Sequence, residues 1–180
     1  LRPKPIASPQ TIPTTNRRNI APGMPFFNRL LGQLLGFDTQ RPEKETGIGP
    51  DNLWALGELR FVVLEAKNRA VADAIAKDYV NQLNGSVNWF HERYDNSCKA
   101  TPVSCHRSRR VGKESSPCDG MRVIDDALLE KLKIAVRDFV GQVAMLSQFG
   151  QHEEIAKLLE AHGLSSSKLV DTFTGRVSRR

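Results

Sequence analysis

The stretch "FVVLEAKN", residues 61–68, runs four apolar side chains straight into Glu65-Ala66-Lys67. A segment that is apolar on both faces and β-branched at its centre predicts a central strand, 60–67, covered by a layer on each side. Its end is charged, however, and burying an unpaired charge costs several kcal/mol. The acid and the base therefore need a partner, a metal or water. Side chains alternate along a strand, so Glu65 and Lys67 share one face and Ala66 takes the other.

The preceding extended segment, 52–56, offers the partner. If Gly57, Glu58 and Leu59 make the turn of a hairpin, Leu56 faces Arg60 and Asp51 falls across from Glu65 on the same side of the sheet. A two-residue turn would reverse this, because a one-residue slip exchanges faces. Two carboxylates brought that close repel unless a cation lies between them. Hard oxygen ligands with water completing the shell suit Mg²⁺, with Mn²⁺ as an alternative, and the backbone carbonyl of Ala66 is a further candidate ligand. Lys67 is placed to offset the charge of a phosphate.

A long helix is expected over 71–94, with Ile75, Tyr79, Gln82, Ser86 and Phe90 on the face that packs on the sheet. Gln82 is polar on that inward face, which suits it to orient Lys67 or a metal-bound water. Each of these features alone is commonplace: Glu-x-Lys ends many solvated strands, and Asp after Gly-Pro shapes turns. Their convergence on so apolar a strand favours a site.

Outside this centre, residues 1–24 hold five prolines among polar residues and predict a linker or mobile arm. A helix is expected from Pro25, with Phe27, Leu30, Leu31, Leu34 and Leu35 as its apolar face, and a short strand over 37–41. Gly47, Gly49 and Pro50 mark a loop. "TPVSCH" predicts a further strand with Pro102 near its start, and "RSRRVGKESSPCDG" a basic, polar loop. A second long helix is expected with Asp126 as N-cap, and a short helix over 151–161. Residues 165–180 read as a basic tail whose end, "TGRVSRR", residues 174–180, is loose. The economical arrangement is α/β: a mixed sheet with helices on both faces, in one domain over 25–164.

The 180 residues are 39% hydrophobic and carry a formal net charge of +6, which favours a polyanionic partner such as nucleic acid. Arg107, Arg109, Arg110 and Lys113 form the densest basic cluster, able to contact backbone phosphates or simply to be a solvated loop. Trp54, Trp89 and Tyr94 are candidates for base stacking, with core packing favoured for Trp89. Cys98, Cys105, His106 and Cys118 lack the paired spacing of a zinc site. There is no secretory signal and no apolar stretch near the ~20 residues that span a bilayer, so the expected location is cytoplasmic. Leu1 stands where a start Met would, so the chain reads as a piece of a longer polypeptide.

Pro50-Asp51, thirteen intervening residues and then Glu65-Ala66-Lys67 resemble the signature of the PD-(D/E)xK nuclease superfamily. "RPEKETGIGPDNLW", "FVVLEAKN", "KDYVNQLNGSVNWF" and "DGMRVID" look like the restriction-endonuclease-like domain appended to some bacterial DEAD/DEAH-type helicases, over roughly residues 26–164. The resemblance implies a restriction-endonuclease-like core and Mg²⁺-dependent hydrolysis of DNA. It implies Asp51 and Glu65 as metal ligands, Lys67 as the catalytic lysine, Gln82 on the helix after the motif, and a helicase motor in the same polypeptide. An upstream acid, Glu43 or Glu45, would assist. Members of this superfamily can keep the fold and lose the chemistry, so the alternative is an inactive nucleic-acid-binding module attached to a helicase.

Overall fold

In a computed structural model, residues 24–66, 72–146 and 152–179 are described, those at 24–28 by backbone alone. Of the expected linker, 1–24, all but Met24, which opens the first helix, lies outside the described residues, as does Lys67. Helix α1 (Met24–Leu34) leads through strand β1 (Asp38–Gln40) and helix α2 (Pro42–Thr46) to the hairpin β2 (Asn52–Gly57) and β3 (Arg60–Ala66). Helix α3 (Lys77–Arg93), strands β4 (Lys99–Cys105), β5 (Arg110–Val111) and β6 (Arg122–Ile124) follow, then helices α4 (Asp126–Val143), α5 (His152–Ala161) and α6 (Leu169–Phe173). Strands β7 (Gly175–Arg176) and β8 (Ser178–Arg179) close the chain.

Six strands form one mixed sheet in the order β1-β2-β3-β4-β6-β7. Strands β3, β4 and β6 are parallel, and the other neighbours are antiparallel. The apolar run of β3 sits at its centre, buried on both faces as its composition predicts. Val62, Leu64 and Ala66 pack with α4, α5 and α6, whereas Val63 packs with α3 through Leu83, Val87 and Phe90. Burying a side chain of that size contributes about 1.5–3 kcal/mol, so the two faces together hold β3 in one register. Pro102 lies in the middle of β4, not near its start. It is tolerated because β6 pairs only with residues 103–105, so β4 is still an edge strand at Pro102.

Several boundaries differ from expectation. The helix predicted over 71–94 begins at Lys77, because Ile75 is taken by a bridge to Val111. The N-cap of α4 is Asp125, not Asp126: its Oδ1 accepts from the Leu128 N–H at 2.9 Å. Of the expected apolar face, Leu30 and Leu34 are half exposed, Leu31 of α1 and Leu35 just after it are buried, and the Phe27 side chain lies outside the described residues. Trp54 is 3% exposed within the core and is not available for stacking on bases. The expected loose end is ordered over 174–179. Leu169 and Phe173 are buried in the main core, and β7 and β8 pair with β6 and β5.

Candidate active site

The β2–β3 hairpin brings Asp51 to Glu65 by a route that sequence reasoning did not anticipate. Gly57 faces Arg60, leaving a two-residue turn of Glu58 and Leu59 at φ 50° and 58°. Such a turn alone would turn Asp51 to the wrong face. Between Ala55↔Phe61 and Gly57↔Arg60, however, β2 carries one extra residue, Leu56, as a bulge. The bulge restores the parity. From there Leu53 pairs with Val63 and Asn52 with Leu64, so one further step sets Asp51 across from Glu65.

Pro50 ends this ladder, since it has no N–H to give a neighbouring strand. In place of a backbone acceptor, the Asp51 carboxylate takes the Ala66 N–H: Oδ2 accepts at 2.9 Å. An extended residue sends its N–H and C=O to the same edge. The Ala66 carbonyl therefore leaves β3 on the side of Asp51. Two glycines shape the approach. Gly47 ends α2 in the left-handed region, and Gly49, at φ 103°, lies so close to Trp89 that a Cβ there would meet its ring at 2.7 Å.

Glu65 is 1% exposed and points to α3. Gln82 donates from Nε2 to its Oε2 at 2.8 Å, and Ser86 donates from Oγ to its Oε1 at 2.7 Å. Residues four apart share a helix face, so one turn of α3 clamps both carboxylate oxygens. Gln82 thus orients the Glu65 carboxylate directly. Sequence reasoning placed Ser86 on the inward face without giving it a role; its i+4 spacing from Gln82 was the available signal.

Of the two candidate upstream acids, Glu45 is engaged in its own helix, accepting from the Arg41 N–H at 3.3 Å. The Glu43 backbone N–H donates to the Pro50 carbonyl at 3.3 Å.

As a donor set, Asp51, Glu65 and the Ala66 carbonyl are all oxygen, the type that suits Mg²⁺ or Mn²⁺. No group of three or more His, Cys, Asp or Glu gathers among the described residues. That number is compatible with Mg²⁺, which is commonly held by one or two carboxylates plus substrate phosphates and water. The zinc candidates do not converge: Cys98 and Cys105 are buried in opposite layers. No described helix is long and apolar enough to cross a membrane. Comparison with family models, curated proteins and solved structures yields no match for this chain.

Proposed function

We propose that the chain is a nuclease domain that hydrolyses phosphodiester bonds of DNA with Mg²⁺ or Mn²⁺. The observation that carries this reading is the hairpin end at which Asp51 caps the Ala66 amide while α3 grips the neighbouring Glu65. In this reading Asp51, Glu65 and the Ala66 carbonyl hold the cation. When bound, the cation supplies neutralisation of phosphate charge and acidification of a water. Gln82 and Ser86 fix the plane of the Glu65 carboxylate, and Lys67, the next residue after Ala66, offsets charge that develops on the phosphate. The association with a helicase motor rests on the sequence resemblance.

The near-complete burial of Glu65, with a donor on each oxygen, favours a second reading: a module that binds nucleic acid without cutting it. Purified protein incubated with single- and double-stranded DNA plus Mg²⁺ or Mn²⁺ separates the two. Cleavage that is lost in Asp51→Asn, Glu65→Gln and Lys67→Ala supports the nuclease. No cleavage, or cleavage that survives all three substitutions, overturns it.

A further inference from the structure

Glu65 is 1% exposed, and each of its carboxylate oxygens takes a donor from α3. The two donors differ in kind. Ser86, 5% exposed, belongs to the buried stripe of α3, with Leu83, Val87 and Phe90 at helical steps around it. Its hydroxyl cannot leave Oε1 unless the helix parts from the sheet. Gln82 lies just outside that stripe and is exposed. Its amide reaches Oε2 at 2.8 Å along a flexible stem. Rotation of this one side chain therefore releases Oε2 and leaves the helix where it is.

The helix surface gives the rotation room. In an α-helix a side chain leans toward the N-terminus and covers the turn before its own Cα. The residue whose side chain would lean over Gln82 is three positions on, and it is glycine. Gly85 is exposed, and nothing lies within 4 Å of where its Cβ would stand. Glycine is a poor helix former, and crowding does not require it at this position. Its effect is an open surface above Gln82.

The partner acid needs no such opening. Asp51 is half-buried, and its Oδ2 is held by the Ala66 N–H at 2.9 Å. Of the acidic pair, Glu65 is the closed member. A carboxylate this deeply buried gives a hydrated cation no approach, so cation binding requires a covering group to move. Of the two α3 donors, Gln82 is the movable one.

We propose that Gln82 is a displaceable cover of the cation site: its amide holds Glu65 Oε2 in the cation-free protein and swings out to yield that oxygen to a divalent cation, while Ser86 keeps hold of Oε1. The inference rests on the proposed function for the cation, and it reconciles the burial of Glu65 with metal binding. A cover and a support predict opposite signs. A group that bonds Glu65 only in the cation-free state opposes binding, so its removal tightens the complex. A group that bonds Glu65 in both states orients it, and its removal does not.

The test is isothermal titration of the full, EDTA-stripped chain with Mn²⁺, without DNA, so that cleavage does not enter. The parent is compared with Gln82→Ala, with Gln82→Met, which keeps the length and loses the donor, and with Ser86→Ala and Asp51→Asn. Thermal melting without cation checks that each variant is folded. Both Gln82 variants are expected to bind Mn²⁺ about fivefold tighter than the parent, which is a net hydrogen bond of about 1 kcal/mol converted to affinity. Ser86→Ala is expected to bind no tighter, and Asp51→Asn to lose binding.

Unchanged or weaker binding in the Gln82 variants, equal tightening in Ser86→Ala, or full binding in Asp51→Asn overturns the inference. Absence of Mn²⁺ binding in every form overturns it together with the metal-dependent reading of the site. The expected pattern without any cleavage of DNA leaves the cover standing and removes only the nuclease reading.

Discussion

Ser86→Ala tests the arrangement on which the candidate site depends. The hydroxyl donates at 2.7 Å to Oε1 of a carboxylate that is 1% exposed, so water cannot replace the lost donor without opening the helix–sheet contact. A hydrogen bond to a charged group contributes about 1.5–3 kcal/mol, against about 1 for a neutral pair. The hydroxyl is small, so the cavity left behind adds little. Unfolding in urea, followed through Trp54 and Trp89 fluorescence, is therefore expected to show a loss of about 1.5–3 kcal/mol with an unchanged slope. For a chain of this size the melting temperature falls by roughly 3–12 °C. Ser86→Thr keeps a donor and is expected to recover most of the loss. Gln82→Leu, at the other oxygen, is expected to couple to Ser86→Ala, because both act on one carboxylate. A change below about 0.5 kcal/mol for Ser86→Ala, within the range of an ordinary surface substitution, would refute the buried, clamped carboxylate and with it the geometry claimed for the site.

Three further outcomes are expected. Leu59→Gly relieves a residue at φ 58° that is 49% exposed, so stability rises by about 1 kcal/mol in thermal or urea unfolding, and a loss contradicts the turn geometry. Gly49→Ala forces a Cβ against the Trp89 ring at a left-handed position, so it destabilises by more than about 2 kcal/mol and shifts Trp emission; a neutral result contradicts the packing. Burial pushes the Cys118 thiol above its ordinary pKa, with Asp119 adding to the rise, so its thiolate forms at higher pH than that of a free thiol. Alkylation followed by mass spectrometry is then slower at neutral pH than for glutathione, and its rate climbs at higher pH; faster labelling contradicts the burial.

What could be read from the sequence follows the length of each element. β3 was legible because four consecutive apolar residues, Phe61 to Leu64, have one economical place, the sheet centre. α4 was legible because its eighteen residues repeat Leu132, Ala135, Val136 and Phe139 at helical steps. α2 has five residues and β5, β7 and β8 two each, too few for any periodicity to register. Their order comes from tertiary pairing: β8 exists because Arg109 and Arg110 present backbone to it, and β7 because β6 has a free edge. The pairing of the two basic runs, 106–113 and 174–179, was therefore not visible in the sequence. In the site, Gln82 and Ser86 were placed on the correct face, but which carboxylate they grip depends on the depth at which α3 crosses β3, and no spacing rule supplies that.

The hairpin shows how a correct pairing can follow from a mistaken turn. The expected three-residue turn and the observed two-residue turn with a bulge place Asp51 opposite Glu65 alike, since each consumes one residue more than a plain two-residue turn. The physical difference lies in where the strain sits. Three consecutive residues, Gly57, Glu58 and Leu59, have positive φ, and only the first is glycine. Two non-glycine residues in the left-handed region cost about 1–2 kcal/mol each, so the surrounding sheet must favour this register by more than that. It does so through side-chain facing. With Leu56 bulged, Leu56 stays in the main core beside Trp54, and Leu53 stays opposite Val63 in the α3 layer. Removing the bulge would exchange Asn52, Leu53 and Trp54 between layers, setting Trp54 opposite Val63 where Leu53 now packs and Asn52 opposite Glu65, and turning Asp51 away from α3. The apolar residues between the two motif halves thus hold the acidic pair in place, and the spacing of Asp51 from Glu65 is as much a packing constraint as a chemical one.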